Sequence, residues 1–169
     1  MPPKAAASDP NEKKYIYMKV VGGEIAAAAA LAPKCGPLGL PPKKVGEDIQ
    51  KATLAWRGIK IFVEVMVQNR VCFVTVLPTA SPLVLQALKE PPRDRKKVKN
   101  PVHNGKIKFD DVIEIAKKMR AKSYSATFKG TVKEVLGTCV SIGCSVDGED
   151  PRKVQAKIDS GELDVGNFA

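Results

Sequence analysis

The chain changes its hydrophobic period at Pro78, from a two-residue alternation to a helical repeat. In residues 59–67, IKIFVEVMV, apolar side chains occupy every second position, which is typical of a β-strand with one buried face. A second β-branched run, VCFVTVL at 71–77, follows after three polar residues, so the two runs predict an antiparallel hairpin. Residues 15–21, YIYMKVV, predict a further short strand. The part before Pro78 is therefore expected to contain an antiparallel sheet.

A helix is expected between the first strand and the hairpin. Four apolar residues recur there at i, i+4, i+7 and i+11, namely Val45, Ile49, Ala52 and Trp56. This spacing places them on one face of a helix that covers the sheet. Residues 15–77 are thus predicted to form an N-terminal α/β domain, preceded by a disordered tail at 1–14.

Residues 25–44, IAAAAALAPKCGPLGLPPKK, combine consecutive alanines with several prolines and glycines. Such a segment predicts a semi-rigid surface with few side chains that could perform chemistry. It is either a connector or a docking surface for a protein partner.

Beyond Pro78 the period predicts three short helices. Ser81-Pro82 is a start signal for the first helix, and Asp110 or Asp111 is expected to cap the second. The third should run from about Ala126 to Ile142 with these residues inward: Phe128, Val132, Val135, Leu136 and Cys139. The fold class expected for the whole chain is α+β, with a hinge at 78–80 and a three-helix domain at 81–146.

The positive charge of the chain is concentrated in one segment. The formal net charge is +10, and residues 89–108 carry eight basic and two acidic side chains together with three prolines. This composition predicts a flexible basic loop rather than a packed element. Lysine and arginine side chains that neutralise phosphates release condensed counterions, so the loop favours nucleic-acid binding. A merely solvated loop and a nuclear-localisation string are the alternatives.

The outward side of the third helix is small and polar. Thr131, Glu134, Thr138 and Ser141 follow one another at i, i+3, i+7 and i+10, with Gly130 and Gly137 beside them. Each glycine in a helix interior costs roughly 1 kcal/mol relative to alanine. Close approach of a sugar-phosphate surface would compensate for that cost, and tight packing of another protein helix is the alternative.

The sequence shows no sign of catalysis, cofactor binding or a membrane span. Glycine-rich nucleotide-binding motifs are absent, and the four cysteines and the single histidine have no metal-ligand spacing. The apolar runs fall short of the roughly 20 residues that cross a bilayer, and no secretory signal precedes them. A non-enzymatic protein with reduced cysteines, no cofactor and no metal is expected.

Several segments together resemble a known family. They are Pro33-x-x-Gly36-Pro37-Leu38-Gly39, the runs IFVEVMV and VCFVTVLPTASPLVLQALK, Gly105-Lys106-Ile107, and KGTVKEVLGTCVSIG at 129–143. In these the chain resembles the large-subunit ribosomal proteins that form the stalk base, the universal protein eleven family, called protein twelve in eukaryotes. The resemblance covers about residues 15–146.

The resemblance implies a homeodomain-like helical domain that binds large-subunit rRNA at the GTPase-associated centre. It also implies an N-terminal domain that faces acidic stalk proteins and, transiently, translation GTPases. The rRNA contacts carry over to Gly130, Thr131, Gly137, Thr138, Ser141 and Gly143, and more loosely to Lys96, Lys97, Lys99 and Lys106. The factor-facing and stalk-facing residues would be Pro33, Gly36 and Pro37. A place in the cytosolic ribosome, with nucleolar assembly, follows from the same family.

The C-terminal end of the chain extends beyond the bacterial pattern of that family. Residues 147–169 are acidic and are expected to form a separate extension with a short helix from Asp150-Pro151 that stops at Gly161. At the other end, Pro2 and Lys4 belong to a Pro-Pro-Lys start that resembles an N-terminal methyltransferase motif, and a disordered, unmodified tail is the alternative.

Two other functions remain possible from the sequence. A three-helix domain with a basic arm suits a helix-turn-helix DNA-binding regulator, which would need Arg, Asn or Gln on the third helix to contact base edges. That helix offers Thr, Ser, Gly and Glu instead. A protein-interaction adaptor would use the proline-rich segment and would leave the basic loop without a role.

Overall fold

A computed structural model describes residues 13–26, 28–69, 71–90 and 103–166. The chain divides after Leu77 into two compact units. Within the described ranges, no helix combines the length and the apolar character that crossing a membrane requires.

The first unit is built on a three-stranded antiparallel sheet. Its strands are β1 (Lys14–Val21), β2 (Lys60–Gln68) and β3 (Val71–Leu77), and β2 lies in the middle. Val65 pairs with Ile16 on one side and with Val74 on the other. The inward residues Ile61, Val63, Val65 and Val67 are buried, as the two-residue alternation predicts. The predicted hairpin is confirmed, although Arg70 in its turn lies outside the described residues.

The segment at 25–44 is more regular than its prolines predict. Helix α1 spans Ala28–Cys35, a 3-10 turn spans Gly36–Leu38, and α2 begins at Pro42. Alanine is the strongest helix former, and Leu31 and Cys35, one turn apart, are both buried. Pro33 lies inside α1, where it has no N–H to donate to the carbonyl four residues before it.

The residues of helix α2 (Pro42–Ala52) that face the core are not all those predicted. Val45 and Ile49 are buried as expected. Ala52 is exposed, and the next inward position belongs to Thr53, whose Oγ1 donates a hydrogen bond to the Ile49 carbonyl at 2.7 Å. Trp56 lies in a separate 3-10 turn, Leu54–Trp56, and packs half-buried against the core. The placement of Ala52 on the inward face was wrong because the helix ends there.

The second unit contains most of the helices. In chain order it comprises α3 (Ala80–Leu88), β4 (Lys106–Ile107), α4 (Phe109–Met119), a 3-10 turn (Arg120–Lys122), α5 (Phe128–Ile142), β5 (Ser145–Val146) and α6 (Pro151–Ser160). Strands β4 and β5 pair in parallel. All five residues predicted to face inward from α5 are buried, and Val112, Ile115 and Ala116 of α4 join them in the core.

The predicted capping residues of the first two helices in this unit are corrected by the structure. Helix α3 begins at Ala80, two residues before Pro82, with Thr79 as its N-cap residue. Helix α4 begins at Phe109, so Asp110 and Asp111 lie in its first turn, where acidic side chains favour the helix dipole. The free N–H of Phe109 is capped instead by Asp147 Oδ2 at 3.2 Å, across 38 residues of sequence.

Two predicted boundaries in this unit also change. The basic loop was expected to reach 108, but Lys106–Ile107 forms β4, and Ile107 is fully buried beside β5. The expected separate extension at 147–169 contributes α6, which packs on α5 through buried Val154 and Ile158. The helix itself matches its prediction, because Asp150 caps it and Gly161 ends it in the left-handed conformation.

Candidate nucleic-acid interface

Helix α5 has one side that no other described element covers. Its solvent side follows the spacing i, i+4, i+7 and i+11, with Gly130 half-buried and Glu134, Gly137 and Ser141 exposed. These residues define what we call the α5 face. The opposite side carries the apolar core residues of the unit.

Gly137 lies in the middle of this face without an internal packing reason. A Cβ atom built at Gly137 would meet no heavy atom within 4 Å. Glycine at an interior helix position lowers helix stability by roughly 1 kcal/mol relative to alanine. The missing side chain therefore allows an external surface to approach the helix backbone closely.

Two hydroxyl groups that follow Gly137 in the helix, those of Thr138 and Ser141, donate hydrogen bonds to backbone carbonyls of α5. Thr138 Oγ1 donates to the Glu134 carbonyl at 3.2 Å, and Ser141 Oγ donates to the Thr138 carbonyl at 2.8 Å. Both oxygens keep lone pairs that accept hydrogen bonds. In this conformation they suit a partner that donates hydrogen bonds, and the 2′-hydroxyl of RNA is such a donor.

The other two predicted glycines have reasons inside the fold. A Cβ atom at Gly130 would lie 2.7 Å from Ser125 Cβ, so the loop before α5 packs into the space that the glycine leaves. Gly143 has φ of 93° and ends α5, its N–H bonding the Cys139 carbonyl at 2.9 Å. Their identity is explained without a ligand, although both lie at the ends of the α5 face.

Thr131 does not lie on the exposed face. Its side chain is fully buried, and its Oγ1 donates to Ser123 Oγ at 2.9 Å and lies 3.0 Å from Ser125 Oγ. Arg120 Nη1 reaches the same oxygen at 3.4 Å. The predicted placement of Thr131 is wrong because this polar network, which the helical spacing alone does not reveal, covers it.

The same network fixes the loop before α5. Arg120 donates to the carbonyls of Ser125 at 2.8 Å and Ala126 at 3.0 Å. Thr127 caps the helix by accepting from the Gly130 N–H at 3.3 Å. The sequence signal for this network is the run SYSAT at 123–127, in which four of the five residues carry hydroxyl groups.

Of the four lysines predicted to contact rRNA, only Lys106 lies among the described residues. It is exposed on β4, which lies at the C-terminal end of α5 because the Ser145 N–H donates to the Gly105 carbonyl at 3.1 Å. Lys96, Lys97 and Lys99 lie outside the described residues. At the base of the loop, His103 Nδ1 and Glu90 Oε2 form a hydrogen bond of 2.5 Å.

The lysines in the first half of α5 face a carboxylate of α6. Asp159 contacts Lys133, and its Oδ1 lies 3.7 Å from Lys129 Nζ. The hydrogen bond from Lys133 lowers the pKa of Asp159 below its ordinary value. These two cations are therefore partly neutralised within the protein.

The predicted factor-facing residues are exposed in the first unit. Pro33 lies in α1, and Gly36 and Pro37 lie in the 3-10 turn that follows. A Cβ atom at Gly36 would meet nothing within 4 Å. Pro2 and Lys4 lie outside the described residues.

The cysteines do not form a reactive or metal-binding site in the described part of the chain. Burial raises the pKa of Cys139 to about 12 and that of Cys72 to about 11, so both remain thiols at neutral pH. Among the described residues no group of three or more His, Cys, Asp or Glu side chains could hold a metal ion.

Comparison with known proteins covers almost the whole chain. Residues 16–71 match the family model described as ribosomal protein L11, N-terminal domain, and residues 76–146 match ribosomal protein L11, RNA binding domain. The large ribosomal subunit protein uL11x of Arabidopsis thaliana is 58% identical over 168 residues, 99% of each chain. The uL11 protein of Neurospora crassa is 59% identical over 165 residues, and uL11A of Saccharomyces cerevisiae is 55% identical over 165 residues, in both cases 98% of each chain.

Proposed function

Because the chain belongs to the ribosomal protein L11 family, we propose that it is a structural, non-catalytic constituent of the large ribosomal subunit that binds large-subunit rRNA. The relatives are named as large ribosomal subunit proteins. The segment that matches the RNA-binding domain, 76–146, contains all of α5. A ribosomal role therefore agrees with both the family and the position of the candidate interface.

The surroundings of Gly137 indicate which residues would contact the RNA. Gly137 is exposed in the middle of α5 with open space around its Cα, and the hydroxyl groups of Thr138 and Ser141 lie beside it. Recognition of folded RNA depends largely on shape and on contacts to 2′-hydroxyls and phosphates. A narrow helix face with small acceptors fits against a sugar-phosphate surface.

The proposed mechanism is positional rather than catalytic. Lys106 and the loop lysines, Lys96, Lys97 and Lys99, attract the RNA through counterion release. The α5 face then supplies contacts that depend on the shape of the folded RNA. Gly130 and Gly143 bound this face, and Thr131 acts behind it by holding the loop.

The family also supports finer assignments. We place the rRNA site at the GTPase-associated centre, where the protein would form the stalk base. The exposed residues Pro33, Gly36 and Pro37 would then face the acidic stalk proteins and, transiently, translation GTPases. The cytosolic ribosome and assembly in the nucleolus follow from the same proposal.

A DNA-binding regulator is the less favoured function. Reading of base edges in the major groove relies mainly on Arg, Lys, Asn and Gln side chains. The α5 face offers two glycines, one serine hydroxyl and one carboxylate, and Lys129 and Lys133 are engaged with Asp159. No described contact favours this alternative.

Substitution of Gly137 tests the RNA-binding proposal. The full chain is titrated onto a folded transcript of the GTPase-associated rRNA segment, and the free energy of unfolding is measured in parallel. Gly137→Leu is expected to weaken binding at least 100-fold, because the new side chain occupies the space of the RNA backbone, while the protein stays folded.

Ala156→Leu is the matched control, since Ala156 is exposed on α6 and gains the same side chain away from the α5 face. It should bind like the original chain. A folded Gly137→Leu variant with unchanged affinity would show that the RNA does not contact this face.

A further inference from the structure

Tyr124 is the most exposed large hydrophobic side chain in the described part of the molecule. Its relative exposure is 102%, whereas the next values are 63% for Ile25 and 62% for Leu54. It lies between the 3-10 turn at Arg120–Lys122 and the start of α5. The ring makes no packing contribution within the protein, so its presence there calls for a partner.

The exposure does not come from a loosely held loop. On one side, Ser123 Oγ donates to Glu134 Oε2 at 2.8 Å and accepts from Thr131 Oγ1 at 2.9 Å. On the other side, Ser125 Oγ donates to the Thr127 carbonyl at 2.8 Å. Because both neighbours are tied down, the backbone of Tyr124 is fixed and its ring is held in solvent.

The loop places Tyr124 next to the α5 face. Glu134, which bonds Ser123, belongs to that face, and Ser125 packs into the space at Gly130, its first residue. Tyr124 therefore lies at the N-terminal edge of the surface that we assign to RNA, while Lys106 lies at the other end.

The surroundings of Tyr124 favour a nucleobase over an apolar protein surface. Its neighbours along the chain are Ser123, Ser125 and the exposed residues Lys122 and Ala126, none of which has a large apolar side chain. Protein interfaces bury aromatic residues within well-packed pockets. A lone ring with both faces open is suited to stack on one unpaired base, which is how proteins commonly hold splayed-out RNA bases.

We infer that Tyr124 is a stacking site for a single unpaired nucleobase of the bound rRNA. This inference rests on the proposed function and adds a contact that neither the α5 face nor the basic residues provide. Stacking uses the ring and not the phenolic hydroxyl, so it predicts a particular order of substitutions.

The test measures the affinity of the full chain for the same rRNA transcript. Tyr124→Phe should bind like the original chain, because the ring is kept. Tyr124→Ala and Tyr124→Leu should each bind about tenfold more weakly, the second because apolar bulk does not replace a stacked ring. The salt dependence of binding should not change, since no charge is removed. Tyr15→Ala, which removes an exposed tyrosine from the first unit, is the control and should have no effect.

Ultraviolet cross-linking supplies a direct readout. Trypsin cleaves after Lys122 and Lys129, so the peptide between them, SYSATFK, contains Tyr124 as its only tyrosine. A nucleotide attached to this peptide at Tyr124, and lost in Tyr124→Leu, is the expected result.

The possible failures are distinguishable. If Tyr124→Leu binds like the original chain while Gly137→Leu does not bind, the stacking site is refuted and the proposed function stands. If the original chain does not bind the transcript, both the proposed function and the stacking site are refuted.

Discussion

Gly130 and Gly137 stand one above the other on α5, two turns apart, and are needed for different reasons. At Gly130 a Cβ atom would lie 2.7 Å from Ser125 Cβ and 2.9 Å from Ser125 Oγ. At Gly137 the same atom would meet nothing within 4 Å. Gly130 is therefore required for packing within the protein, whereas Gly137 leaves open space at the protein surface. The helical spacing in the sequence does not distinguish the two glycines.

This difference predicts opposite effects of the same substitution. Gly137→Ala should raise the free energy of unfolding by about 0.5–1 kcal/mol, because alanine is the better helix former and has room. Gly130→Ala should lower it by about 1–3 kcal/mol, because Ser125 must move against its hydrogen bonds. Chemical denaturation of both variants measures the two values. Equal shifts in one direction would contradict the assignment of the two glycines.

Thr131 shows where prediction from single residues stops. Helical spacing placed it on the polar side with Glu134, Thr138 and Ser141, and spacing does distinguish that side from the apolar core. Burial of Thr131 depends instead on a loop that folds back over the start of the helix, held by Arg120. Such a contact arises from tertiary structure and has no periodic signal.

At the scale of elements, α5 and α6 are joined by an apolar contact and by an electrostatic one. Val154 and Ile158 of α6 are buried, and Asp159 contacts Lys133 on the outer side. Gln155 Nε2 also donates to the Lys133 carbonyl at 3.0 Å. Helix α6 thus packs against α5, and its Asp159 partly neutralises the lysines in the first half of α5.

The ion pair predicts a pH dependence of stability. Lys133 lowers the pKa of Asp159 below the ordinary 3.8, so the folded state favours the charged carboxylate. The stabilisation is therefore present above the ordinary pKa of 3.8 and is lost as the pH falls through the lowered pKa. Asp159→Asn should be less stable than the original chain by about the same amount at pH 5 and pH 7, and the difference should shrink as the pH falls below 3.8 and through the lowered pKa.

Urea titrations of the two proteins at these pH values measure the difference. Because both side chains are at least partly exposed, the difference should be small and should shrink in high salt. A difference that grows on acidification would mean that the carboxylate is not favoured by folding.

Elements with a strong period were predictable, and the shortest ones were not. The β2–β3 hairpin and α5 follow from apolar residues at two-residue and helical spacing. Strands β4 and β5 contain two residues each and pair across 39 positions, so no local pattern marks them. The cap that Asp147 provides to α4 has the same origin, because it depends on β5 lying beside β4.

At the scale of the whole molecule, the two units differ in what they offer to partners. The first presents prolines and glycines of the 25–44 segment, together with the exposed rings of Tyr15, Tyr17, Phe62 and Phe73 on the open side of its sheet. The second presents the α5 face, Lys106 and Tyr124. The net charge of +10 therefore describes the chain less well than the difference between an aromatic and proline-containing surface on the first unit and a small, polar surface with Lys106 on the second.

We propose above all that the α5 face attaches this protein to the rRNA of the large ribosomal subunit. The most direct test of this claim is sedimentation of the tagged chain expressed in Saccharomyces cerevisiae, whose relative is 55% identical. The original chain and Ala156→Leu should co-sediment with large subunits and move to the top of the gradient after RNase treatment, and Gly137→Leu should remain at the top throughout. A folded Gly137→Leu variant that co-sediments like the original chain would contradict the claim.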